Sequence, residues 1–262
     1  MILKTMHNRL KHLFYSFLLL VISPLFLFAK GNPEELFAKG NSQYAKAQYK
    51  EAIQSYQEVL NTGYKSAAVY FNLGNAYYKL GEMAPAILHY EKAYKITPGD
   101  QEIHLNLQLA NLKIADKIEV VPEFFMAKWW KSLVLFFSTH VLSVFAVAFF
   151  LLGFALLIVY LFAVSVSIKK PAFYAGITLL VLGLLSIFIV NTQSNYLNSS
   201  SQAIVFNGTV NVKSGPDDKS KTLFVIHEGT KVTIKQNDDN WLKVELPNGN
   251  IGWIESVAVK EI

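Results

Sequence analysis

Asn72-Leu73-Gly74-Asn75-Ala76-Tyr77-Tyr78, followed by Ala86-Ile87-Leu88-His89-Tyr90, is the stretch that decides the fold. A displacement of 34 positions sets Gly40 on Gly74, Asn41 on Asn75, Tyr44 on Tyr78, Ala52 on Ala86, Ile53 on Ile87 and Tyr56 on Tyr90. Self-similarity at a fixed period marks stacked units, each unable to bury its apolar face alone. One further displacement sets Asn72 on Asn106 and Leu73 on Leu107, but Gly74 meets Gln108, so a third unit is degenerate. Inside a unit the apolar residues fall at helical spacing. Tyr70, Leu73, Tyr77 and Leu80 share one face, Gly81 breaks the run, and Ile87, Tyr90 and Tyr94 form a second face before Pro98 stops it. Gly74 and Ala86 are the small residues at which the two helices of a unit approach closely.

These residues and their spacing resemble the tetratricopeptide repeat over residues 33–118: two repeats, then a helix from Gln101 to about Ile118 in the capping place. The resemblance implies an α-helical solenoid whose first helices line a concave surface that holds an extended peptide. Asn41, Asn72, Asn75 and Asn106 are the candidate peptide-binding residues, because a carboxamide can pair with both the N–H and the C=O of a bound backbone. The competing reading is that they cap local backbone or face solvent. Relatives that grip a C-terminal carboxylate carry basic residues on the third unit, where this chain has Glu102 and Asn106.

Outward from the repeats the composition changes. The chain is 52% hydrophobic and 16% charged, against about 25% charged in soluble domains, which points to membrane segments. Residues 1–29 read as a secretory signal peptide, with Lys4, Arg9 and Lys11 before the apolar run Leu13 to Phe28, or else as an uncleaved anchor. Ser132 to Ile168 and Pro171 to Val190 contain no Asp, Glu, Lys or Arg, and each is long enough for a helix of about 20 residues to span. The expected spans are 140–164 and 171–190. Before them, residues 119–139 form an interfacial segment anchored by Lys128, Trp129, Trp130 and Lys131. Between them Ile168-Lys169-Lys170-Pro171 is expected to be a short basic loop on the cytoplasmic side. Both soluble parts then share the exported side. His140 falls at the interface, where a proton-relay role is not favoured, and Gly176 and Gly183 are expected to let the two helices pack closely.

Residues 191–201, rich in Asn and Ser, read as a linker, after which the period shortens to two. Val210 to Lys213, Lys231 to Ile234 and Trp241 to Leu246 alternate, punctuated by Gly215-Pro216, Glu228-Gly229 and Asn248-Gly249. The stretches 210–216, 227–229, 241–244 and 248–254 resemble the bacterial SH3-like (SH3b) domain, which implies a small all-β barrel over 202–262. Some such domains bind wall peptides and others bind proteins. Trp241 and Trp253 are either the ligand surface of this barrel or its core.

The chain lacks cysteine, which excludes disulfides, thiolate metal sites and cysteine nucleophiles. No phosphate loop, H-E-x-x-H pair or G-x-S-x-G elbow occurs. No enzyme activity, cofactor or metal is therefore expected, and a net charge of +5 concentrated beside apolar runs argues against nucleic acid. Signal segment, tetratricopeptide repeats, two membrane helices and SH3-like domain, in that order, resemble the BatE proteins of the Bacteroides aerotolerance (Bat) operons. That resemblance implies a multi-pass protein of the bacterial inner membrane with both soluble modules periplasmic. It also implies partners among the von Willebrand-factor-A-type Bat membrane proteins and, through the barrel, contact with peptidoglycan as an alternative.

Overall fold

The computed structural model describes residues 32–119, 124–198 and 201–262; the expected signal segment lies outside them. Five helices come first among the described residues: α1 (Pro33–Ala45), α2 (Tyr49–Asn61), α3 (Ala67–Leu80), α4 (Met83–Ile96) and α5 (Gln101–Asn111). Their ends are set locally. Ser66 caps α3 by accepting from the Val69 N–H at 3.3 Å, and Asp100 caps α5 by accepting from Glu102 and Ile103. Gly81 ends α3 at φ 82°, a left-handed conformation that costs glycine nothing. The last helix is shorter than the sequence suggests, stopping at Asn111 and not near Ile118.

The 34-residue period reappears as packing. A Cβ on Gly40 would meet the Tyr56 ring at 2.5 Å, and one on Gly74 would meet the Tyr90 ring at 2.6 Å. Each glycine is therefore the seat for the tyrosine of its own unit's second helix. Ala52, Tyr56, Val59, Val69 and Leu73 form one buried cluster, and Ala84, Ala86, Ile87, Leu88 and Tyr90 form the next.

Helix α6 (Phe125–Val134) carries Phe125, Met126, Trp129 and Leu133 exposed on its outside. It leads into α7 (Thr139–Phe162) and α8 (Val166–Asn198), both long and apolar enough to cross a membrane. They pack through small residues: a Cβ on Gly176 would stand 3.1 Å from the Gly153 carbonyl oxygen, and one on Gly183 would stand 3.0 Å from the Phe150 ring.

Two expectations are corrected here. Ile168-Lys169-Lys170-Pro171 is not the loop; it lies in the first turns of α8, and the chain reverses at Ala163 to Ser165. Pro171 lies in the second turn, where it forgoes one helical hydrogen bond. Residues 191–198 are not a linker either, since α8 runs through them to Asn198. That stretch has no Gly or Pro to break it, and buried Gln193 ties it to the α6–α7 turn by donating from Nε2 to the Phe137 carbonyl at 2.8 Å.

The C-terminal part is a seven-stranded antiparallel sheet, β1 (Ser201–Val205), β2 (Thr209–Lys213), β3 (Thr222–His227), β4 (Lys231–Asp238), β5 (Trp241–Glu245), β6 (Ile251–Glu255) and β7 (Val259–Glu261), in the order β3-β2-β6-β5-β4-β1-β7. Residues from both ends of that order share one core: Val210, Val212 and Ile226 with Ala203, Val205 and Val232, closed by Leu242, Val244 and Ile254. Bulges at Leu223 of β3, opposite Val212/Lys213, and at Lys235 of β4 bend those strands to allow it.

Candidate interaction surfaces

The four asparagines picked out from the sequence form a ladder between units. Asn41 Oδ1 accepts from the Tyr56 hydroxyl at 2.8 Å and from Asn72 Nδ2 at 2.9 Å. Thirty-four residues later Asn75 Oδ1 accepts from the Tyr90 hydroxyl at 2.7 Å and from Asn106 Nδ2 at 3.1 Å. One carboxamide oxygen thus satisfies a buried tyrosine and fixes the next unit's register. The structure joins them in two pairs, Asn41 with Asn72 and Asn75 with Asn106, in a stacking role between units.

His89, on the second helix of the second unit, is stacked on Tyr77 with the rings nearly parallel and 5.4 Å apart. Burial and the nearby Lys92 and Lys260 lower its pKa from 6.5 to about 4. A neutral ring in the fold and a protonated one in the unfolded chain mean that the unfolded state binds more protons between those two values. Repeat stability should therefore fall as pH drops from about 6.5 to about 4, by on the order of 2–3 kcal/mol. Thermal melts of wild type and His89→Phe across that window check it; the variant should lose most of the slope.

The residues that sequence reading missed lie between the repeats and the barrel. Asp116, in the stretch after α5, accepts from the His227 backbone N–H at 2.7 Å and from the Thr230 hydroxyl at 2.6 Å. His227 Nδ1 stands 2.7 Å from its other oxygen and donates there, since an ionised carboxylate has no proton to give. Burial pushes Asp116 up, but the bonds from Thr230 and His227 outweigh it and hold the carboxyl below its usual range. Around this centre Lys231 pairs with buried Glu91 at 2.8 Å, and Lys95 donates to the main-chain oxygen of Ile262 at 3.0 Å.

Apolar contacts complete the joint. Ile204 of β1 is fully buried in the cluster of Ala84, Ile87, Leu88 and Ala110, with Phe206 and Ile262 packed beside it. Gly229, at φ 86°, lies so close to Ile114 that a side chain there would collide with it. The repeats and the barrel are therefore docked on each other. A cavity of about 480 Å³ opens beside the joint, lined by Glu91, Asp116, Lys117, Thr230 and Lys231 among others. Gly99 abuts the main chain at Leu135 and Phe136, which seats the repeats on the α6–α7 turn.

In the barrel, alternation decides the fate of the tryptophans. Leu242 and Val244 point into the core, so Trp241 and Lys243 point outward, half-buried. Trp253 is paired with Lys243 in register and lies on the same outer face. Neither is core. Trp241 carries the Lys213 ammonium 4.9 Å from its ring centre and lines a cavity of about 200 Å³ with Asn207, Thr209, Asn211, Lys213 and Glu255. Trp253 stands outside that cavity.

With this geometry in place, comparison with known proteins is informative for each module. A tetratricopeptide-repeat family profile matches residues 37–101, and a bacterial SH3 domain profile matches residues 208–260. The chain carries tetratricopeptide repeats and a bacterial SH3 domain. No curated protein matches it. Among solved structures, a TPR repeats protein from Bacteroides fragilis NCTC 9343 is similar at 17% identity, covering 71% of this chain and 88% of that one with a TM-score of 0.29. The tetratricopeptide profile ends where α5 begins, and the SH3 profile takes in His227 and Thr230 of the joint as well as Trp241 and Trp253.

Proposed function

We propose that this protein is a non-enzymatic, membrane-anchored scaffold whose repeats and SH3 domain act as one docked unit on one side of the bilayer. The observation that carries this reading is the Asp116 joint. Two modules that share a buried cluster and a three-bond carboxylate cannot be separated by a membrane, and α7 and α8 form the hairpin that returns the chain to its starting side. A signal segment at residues 1–29 would put that side outside the cytoplasm, which makes the protein a multi-pass inner-membrane component with both modules periplasmic.

In this reading the partners are envelope proteins, with the von Willebrand-factor-A-type membrane proteins of the Bat system the first candidates. The repeat groove, edged by Asn41, Asn72, Asn75 and Asn106, holds a partner segment, while the SH3 domain makes a second contact. Recovery of such a partner with the tagged full chain from membranes tests it. Asn72→Ala/Asn106→Ala should reduce recovery while the repeats stay helical; undiminished recovery with a folded variant contradicts the groove assignment.

A second reading is supported by the outer face of the barrel. The cavity beside Trp241 offers an aromatic wall with amide, hydroxyl and charged groups around it, a combination suited to wall peptides or sugars. Retention of the full chain on purified sacculi, lost on Trp241→Ala, would favour peptidoglycan sensing; retention no better than for the variant would remove it.

A further inference from the structure

Helix α5 ends the stack of repeats, and its outer face is apolar. Ile103 and Ala110 are buried toward α4, whereas Leu105, Leu109 and Leu112 lie on the opposite side at 54%, 40% and 70% exposure. In the 34-residue register these three correspond to Phe71, Asn75 and Tyr78 on α3. There α5 and the turn after it cover the face: Asn106 donates to Asn75, and the Lys113 ammonium, two residues past the end of α5, sits 4.0 Å from the centre of the Tyr78 ring. The face that each unit offers to the next is therefore presented again at α5, now built of leucine. The exposed end of a solenoid is ordinarily polar.

We propose that this face is a self-association surface, occupied by α5 of a second copy running antiparallel. The spacing of four and then three residues between the leucines is that of a helix-pairing seam. Charge sets the direction. Asn106 and Lys113 both reach α3, and Glu102 lies one turn before Asn106 on the same edge, so that edge carries an acid at its start and a base at its end. An antiparallel copy sets Glu102 against the second copy's Lys113, and Lys113 against the second copy's Glu102, the reciprocal pattern that two-fold symmetry requires. A parallel copy would set this edge against the second copy's Gln101 and Gln108 and leave both charges unpaired. The other edge, with Gln101 and Gln108, is uncharged. Anchoring both copies in one bilayer raises their effective concentration, so a short seam suffices.

The absence of cysteine makes the test clean. Full-length chains carrying Glu102→Cys are mixed with chains carrying Lys113→Cys in lipid vesicles and oxidised. Disulfide-linked dimer should form between the two variants roughly tenfold more than within either alone. Adding Leu105→Glu/Leu109→Glu should return it to background with an unchanged circular-dichroism melt. Should that pair disturb folding, charge reversal replaces it: Glu102→Lys weakens linking measured through Gln108→Cys, which lies next to the two-fold axis, and Glu102→Lys/Lys113→Glu restores it. Stronger linking within Glu102→Cys alone, a dimer indifferent to the leucine changes, or a chain that stays monomeric in vesicles overturns the proposal.

Discussion

Asp116→Ala is expected to undock the SH3 domain from the repeats. The substitution leaves the His227 N–H and the Thr230 hydroxyl without their acceptor, at about 1–3 kcal/mol for each buried donor. The side chain retains 15% exposure, so water partly replaces it. A net loss near 2–3 kcal/mol remains, a shift of roughly 30- to 150-fold in the docking equilibrium. Backbone amide exchange at His227 should accelerate by about that factor, while the barrel's core strands keep their protection. Acid acts through the same group. Because the folded carboxyl lies below the usual range, its contribution is complete above a pKa of 3.8 and is lost as pH falls through the lower folded value. Asp116→Asn should remove that acid-side dependence. Unchanged exchange at His227 in Asp116→Ala would mean that the joint is held by its apolar contacts alone.

Tyr90→Ala should be the most damaging change inside the repeats. The ring is buried at 1% exposure and fills the seat over Gly74, while its hydroxyl completes the bond to Asn75. Removing a buried aromatic costs about 3–5 kcal/mol, and the cavity would open in the cluster that also holds Ile204. Loss of the second unit should therefore loosen the joint as well. Thermal melting of the full chain in detergent should show the repeat transition well below that of wild type, with His227 exchange faster too. Tyr90→Phe separates the two contributions: it keeps the ring and gives up one hydrogen bond, for a loss of about 1 kcal/mol.

The parts legible in the sequence share a cause. The repeats and the barrel each announce themselves through a period, 34 residues in one and two in the other, and periodicity survives in a single chain. The outward face of Trp241 and Trp253 is also within reach of the sequence, because Leu242, Val244 and Ile254 occupy the alternate positions. The true course of α8 was not legible from charge, since Lys169 and Lys170 mark a turn by composition while the helix begins before them. The joint had no signal at all. Asp116 meets His227 111 residues away, and Glu91 meets Lys231 140 residues away, each in an unremarkable polar stretch. Only the packing of Ile204 and Gly229 against the repeats brings these groups within bonding distance.

The most direct measurement exploits the pair at the joint. Glu91→Cys/Lys231→Cys in the otherwise cysteine-free full chain is treated with a short bis-maleimide in intact membrane vesicles. If the modules sit docked on one face of the bilayer, the two cysteines join within a single chain and both react from the same side. Cysteines that label from opposite sides, or that never join, would contradict it.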